Sequence, residues 1–209
     1  MKRVFIIAAA LVAALPMAHA TTYMFTSSGS YSTSAVTLAA YDCTGTTCLG
    51  GSLPPYTLTG SSSTVSYNST YGAGVTDTNN YVARNSYLVV DFSSPLAAHS
   101  TVEVYMDRVS SGYYIFGWTA PTTPNPASIT SGLTVLASRL TGGAPAGNIA
   151  DVYFTLGATA YNYLVITAAS TCDLNVKDIT TNAPEPGTLV MAGMALIGLG
   201  MALRKARKS

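Results

Sequence analysis

The sequence predicts an all-β protein: an antiparallel β-sandwich, jelly-roll-like, flanked by an N-terminal signal peptide and a C-terminal single transmembrane helix. Three observations predict it. Strand-length runs of Val, Ile, Thr and Tyr, bounded by Gly, Pro, Ser or Asn, recur between residues 86 and 180. Between residues 21 and 183, Ser and Thr fill 48 of 163 positions and all 14 tyrosines occur there, whereas Glu and Lys appear once each. Exposed helix faces would lack their usual formers, and strand formers abound. Two apolar runs, one near each end, depart from this composition.

The first of them lies in MKRVFIIAAALVAALPMAHA, residues 1–20, where Lys2 and Arg3 precede an apolar run from Val4 to Leu15, followed by Pro16 and the small-residue site Ala18-His19-Ala20. That is the layout of a secretory signal peptide cleaved after Ala20. Residues 21–183 then form one secreted domain of a size that buries a respectable core. Its charges are Arg84, Arg108, Arg139 and Lys177 against seven Asp and Glu103, so 4 minus 8 gives −4. An acidic surface of this kind argues against nucleic acid as a partner.

Within the domain the first half reads as strands at 22–26, 33–41, 54–59 and 63–68, with SSGSYSTS, TGSSST and YGAGVTDTNN as loops. Cys43 and Cys48 bracket TGTT, a short turn that a disulfide closes in an oxidising compartment, which leaves Cys172 buried or paired with another chain. A zinc site does not fit, because His99 is the single histidine of this segment. The second half carries strands at 86–92, 100–107, 112–119, 133–138, 151–157, 161–169 and 172–180. Alternation turns Val102, Val104 and Met106 inward and Thr101, Glu103, Tyr105 and Asp107 outward, and opposes Leu164 and Ile166 to Tyr163 and Val165. In the last strand Ile179 falls out of step with Leu174 and Val176, which predicts a bulge near Lys177.

The second apolar run is 188–203, sixteen uncharged residues spanning roughly 24 Å as a helix. The basic tail 204–208, with Arg204, Lys205, Arg207 and Lys208, holds its end on the cytoplasmic side. The run 188–203 therefore reads as a short membrane span whose flanks snorkel, and with Lys2 and Arg3 its basic tail places the domain across the membrane. Pro184, Glu185 and Pro186, then this span, then the basic tail, resemble the PEP-CTERM sorting domain over residues 184–209. The resemblance implies a substrate of an exosortase-type membrane peptidase in a Gram-negative bacterium. That enzyme would cut near Pro184–Pro186, end a transient inner-membrane anchorage and send the chain to the cell surface or extracellular matrix. A GPI signal works by similar physics. It also implies a place in an exopolysaccharide or biofilm system, with extracellular polysaccharide as a partner.

Chemistry inside the sandwich is sparse. The chain has no G-x-S-x-G or H-E-x-x-H motif, and His99 in SPLAAHST reads as a loop residue. Glu103 and Asp107 stand roughly 13 Å apart along one strand, too far to act as a glycosidase pair by themselves. GVTDTNNY offers Asp77, Asn79 and Asn80 as oxygen ligands for Ca²⁺, or as an Asx-turn without metal. No other cofactor is indicated. Tyr113 and Ile115 share one face of their strand while Tyr114, Phe116 and Trp118 share the other, a set read as core. The leading expectation is a non-enzymatic surface protein. A carbohydrate-binding module would need Trp118 or its tyrosine neighbours exposed in a groove, and a secreted hydrolase would need two carboxylates, or a serine with His99, converging in a cleft.

Overall fold

The computed structural model describes residues 20–25, 32–33, 35–43, 45, 47–50, 54–78, 80–140, 145–169 and 173–182. In chain order the strands are β1 (Ala20–Met24), β2 (Ser32–Thr33), β3 (Val36–Asp42), β4 (Leu58–Thr59), β5 (Ser61–Ser63), β6 (Val65–Asn68), β7 (Gly72–Val75), β8 (Ser86–Leu96), β9 (Thr101–Asp107), β10 (Tyr113–Trp118), β11 (Ser128–Ile129), β12 (Leu133–Arg139), β13 (Ala150–Thr155), β14 (Tyr161–Ala168) and β15 (Asn175–Asn182). Every strand pairing is antiparallel.

One sheet runs β13-β9-β15-β7-β6, with β1 also on β15; the other runs β12-β10-β14-β8-β3-β2, with β5 also on β3. Eight of the strands, β1, β8, β9, β10, β12, β13, β14 and β15, pair first with last, second with seventh, third with sixth and fourth with fifth, and β3 adds along the free edge of β8. That nesting is a hairpin rolled up into two sheets, the wrapping of a jelly roll. It forces the first and last strands to be neighbours.

The alternation read from the sequence fills the space between the sheets. Val102, Val104 and Met106 of β9 meet Leu88, Val90 and Phe92 of β8, with Ile115, Leu164 and Ile166 beside them, all at most 2% exposed. A register shift between Val176 and Asp178 is the bulge near Lys177: it returns Ile179 to the core and leaves Asp178 half-buried.

The opposite face of the second sheet is buried too. Tyr87, Val89, Tyr114, Phe116, Trp118 and Val165 lie beneath Cys43, Cys48, Leu58 and Ile129, so two loops cover the face. The paired strands β4 and β11 join those loops, Gly60 N–H donates to the Ala127 carbonyl at 2.9 Å, and Cys43 and Cys48 are disulfide-bonded. The indole Nε1 of Trp118 donates to the Ser131 carbonyl at 3.1 Å and the Tyr87 hydroxyl to that of Pro126 at 2.7 Å. Buried polar tips are thereby satisfied where aromatic bodies supply the packing.

Four expectations need correction. TGSSST is not a loop, since Ser61–Ser63 is β5 and pairs with Ala40–Asp42 of β3, and SSGSYSTS supplies β2, Ser32–Thr33, which pairs with the start of β3. The segment 54–59 supplies only Leu58–Thr59 as strand, because its remaining residues serve the covering loop. YGAGVTDTNN is not all loop: Gly72–Val75 is β7, fully buried, and pairs with β6 and β15. Its two glycines hide the strand signal. Gly72 holds φ 103, and a Cβ there would overlap the Val176 carbonyl.

Candidate functional site

Because the roll pairs its first and last strands, the two ends of the described domain occupy one ladder. Ala20 faces Asn182, Thr22 faces Thr180 and Met24 faces Asp178. The Thr22 and Thr180 hydroxyls hydrogen-bond at 2.9 Å, and Phe25 N–H donates to the Lys177 carbonyl at 2.8 Å. The Tyr23 ring meets Phe92 edge-on at 5.6 Å. Of the residues expected to direct export, Ala20 opens β1; Ala18, Pro184, Glu185, Pro186, Arg204, Lys205, Arg207 and Lys208 lie outside the described residues, as do the span 188–203 and Cys172. Among the described residues no helix is long and apolar enough to cross a membrane.

The outer face of the first sheet gathers carboxylates from three strands. The Tyr153 hydroxyl on β13 lies 2.7 Å from Glu103 Oε1 on β9 and 3.0 Å from Asp151 Oδ2. Its phenol is held above the ordinary tyrosine range, first by the bond to Glu103 and then by that to Asp151. Burial, then the charges of Glu103 and Asp151, raises the Asp178 carboxyl against the opposing pull of Lys177. Register pairs Glu103 with Tyr153 and Asp151 with Tyr105, so Asp151 is the diagonal neighbour of Glu103 that the sequence left unspecified, whereas Asp107 stays at the far end of β9. Tyr153 is 62% exposed, so the group stands on open sheet rather than in a cleft. His99 is exposed in a turn at φ 63, with its N–H donating to the Gly157 carbonyl at 3.0 Å. Asp77 falls in a 3-10 turn, Thr76–Thr78, and Asn79 lies outside the described residues; among the described residues no cluster of three or more His, Cys, Asp or Glu is placed to hold a metal.

The aromatic set gives no open platform. Tyr114, Phe116 and Trp118 are 6%, 0% and 2% exposed, with Tyr56 lying 5.3 Å from Phe116 and Tyr163 4.9 Å from Trp118.

A polar pocket of about 150 Å³ opens instead at the end of the first sheet where β15 starts, lined by Asn68, Tyr71, Asn80, Tyr81, Arg108 and Asn175. The guanidinium of Arg108, in the turn after β9, lies 4.5 Å from the Tyr71 ring centre and 4.4 Å from that of Tyr81. Arg108 sits at φ 58 and Asn80 at φ 69, left-handed conformations uncommon for non-glycine residues. Asn175, 1% exposed, donates from Nδ2 to the Asn80 carbonyl at 2.8 Å, and its Oδ1 is buried without a hydrogen-bond partner. Gly74 makes this approach fit, since a Cβ there would overlap the Asn80 carbonyl. Asn68 uses Oδ1 to accept from the N–H groups of Thr70 and Tyr71 at 2.9 and 3.1 Å, closing an Asx-turn. The sequence offered no signal for this pocket, because its six residues come from four separate segments that only the sheet register assembles.

Fold and ends together define the class: an antiparallel β-sandwich whose last strand runs directly into a C-terminal sorting segment. Residues 182–208 match the PEP-CTERM protein-sorting motif, so the chain is a PEP-CTERM sorting domain-containing protein. The motif implies export and exosortase processing to the cell surface in Gram-negative bacteria. No curated protein matches the chain. Among solved structures it is similar to a xylan-binding module (10% identity, 81% of this chain and 99% of that one covered, TM-score 0.47). A family 29 carbohydrate-binding module from Piromyces equi gives 9%, 79%, 91% and 0.41 in the same order. A chitosan-binding module from a chitosanase/glucanase of Paenibacillus sp. IK-5, in complex with chitotriose, gives 15%, 77%, 95% and 0.32.

Proposed function

We propose that this chain is a non-catalytic surface or matrix protein, exported by a signal peptide over residues 1–20 and released from the inner membrane by an exosortase-type peptidase acting near Pro184–Pro186. The mature domain spans 21–183 in this reading; residues 188–203 hold it in the membrane until cleavage, and Arg204, Lys205, Arg207 and Lys208 stop the tail. Extracellular polysaccharide is its partner in a biofilm matrix. The supporting observation is the β1–β15 ladder: Ala20 and Asn182 are paired, and the sorting motif starts at residue 182. A folded domain with adjacent ends needs no linker to satisfy a membrane segment at each of them.

Cell fractionation tests this. With the host's exosortase gene removed, the full-length chain is expected to accumulate in the inner membrane and disappear from surface and medium. An unchanged distribution overturns the reading.

A further inference from the structure

We propose that the pocket beside Arg108 binds a single carboxylate-bearing sugar residue, a uronate. Four features converge on that ligand. The first is charge: Arg108 is the one ionic residue lining the pocket, and among the described residues no carboxylate pairs with its guanidinium. The net charge of −4 over residues 21–183 opposes an anion at long range, and Asp107 Oδ1 accepts the Arg108 backbone N–H at 2.7 Å, so the attraction for an anion comes from the guanidinium at contact. One cation matches a monoanion better than a dianionic phosphate, whose second charge would remain uncompensated.

The second is geometry. Tyr71 and Tyr81 flank the guanidinium, leaving its in-plane N–H edge as the binding surface, the fork that takes a carboxylate bidentately. Held between two rings, the side chain is ordered before any ligand arrives, which lowers the entropy lost on binding.

The third is the neutral lining, which suits hydroxyls. The Oδ1 of Asn68 is occupied by its turn, so its amide N–H₂ is the end left to donate. Asn175 is oriented unambiguously, since only its amide nitrogen can serve the Asn80 carbonyl; its Oδ1 therefore lacks a donor. Leaving a buried acceptor unsatisfied is costly, and a hydroxyl-bearing ligand, or a water it orders at the pocket floor, relieves that cost. The two tyrosine hydroxyls can donate or accept.

The fourth is size. A volume of about 150 Å³ holds roughly five waters and is smaller than pockets for drug-sized ligands. One sugar ring fits this scale; a chain of rings would have to continue outside. Asn175 opens β15 and Asn182 closes it, roughly 23 Å away along the strand, so the pocket is remote from the end that carries the sorting segment.

The proposal stands apart from the processing route, and its test is performed on the full-length chain purified in detergent. Titration followed by ligand-observed NMR and calorimetry uses sodium D-glucuronate, a glucuronate oligomer, D-glucose and sodium sulfate as probes. Glucuronate and the oligomer are expected to bind, and glucose and sulfate at least about tenfold more weakly. Arg108→Gln should weaken glucuronate by about tenfold or more, the scale of a charge-assisted pair. Asn68→Asp keeps the turn-closing oxygen while replacing the donor with a negative charge, and should weaken it comparably with an unchanged unfolding temperature. That variant keeps the test decisive if Arg108→Gln does not fold. Absent glucuronate binding, equal binding of glucose or sulfate, or full affinity in Asn68→Asp would overturn the proposal. Binding of the oligomer without the monosaccharide would overturn the single-residue assignment.

Discussion

Trp118→Ala separates a buried second core from a sugar-binding platform. The indole is 2% exposed, packs 4.9 Å from Tyr163 and donates to the Ser131 carbonyl. A buried aromatic of this size hides roughly 200 Å² of surface, worth about 5 kcal/mol at ~25 cal/mol per Å². Alanine retains a small part of that, and the cavity left behind adds to the loss, giving a destabilisation of about 4 kcal/mol. Ser131 is exposed, so its carbonyl finds water and adds little. In a domain of this length each kcal/mol moves the unfolding temperature by roughly 2–4 °C, so the variant should melt about 8–16 °C below the wild type by calorimetry. Since Trp118 is the only tryptophan, wild-type fluorescence should also be blue-shifted and resist iodide quenching. A drop under about 2 °C, or ready quenching, would mean that the covering loops do not seal this face.

Three further outcomes follow from the same geometry. Replacing both Cys43 and Cys48 by serine opens a five-residue separation and should lose about 2 kcal/mol by loop-closure entropy, read as a lower midpoint in chemical denaturation; an unchanged midpoint would show that the loop is held without the bridge. Gly72→Ala must leave a left-handed φ of 103 and displace the Val176 carbonyl, so a loss of about 3 kcal/mol is expected; a neutral result would mean that β7 does not sit against β15 in this register. The folded state raises the Asp178 pKa through burial and the nearby Glu103 and Asp151, so protonation favours folding. This contribution is fully present below the unfolded Asp pKa and is lost as pH rises through the folded one. Asp178→Asn should therefore stabilise the domain at pH 7 by a few tenths of a kcal/mol, with the gain vanishing near pH 3; a destabilised variant at pH 7 would contradict the assignment.

Period-two alternation carried most of this fold. In β8, β9, β10 and β14 the inward residues are continuous and apolar, so sequence spacing alone identified Val102, Val104, Met106, Leu164 and Ile166 as core. The out-of-step Ile179 disclosed the bulge for the same reason. What alternation could not reveal was a strand buried on both faces. Tyr114, Phe116 and Trp118 read as core, but the loops that cover them depend on long-range contacts from Leu58 and Ile129. β7 was obscured because Gly72 and Gly74 are chosen for close backbone approach, which erases the β-branched signature. The sorting segment was legible because order along the chain is its signal, whereas the Arg108 pocket is a meeting of distant residues.

The measurement closest to the central claim is intact-mass and terminal-peptide mass spectrometry of the protein recovered from its native host. The account predicts a mature chain that begins at Thr21 and ends near Pro184, leaving the β1–β15 ladder at the two trimmed ends. A chain that retains Ser209 at the cell surface or in the matrix would contradict it.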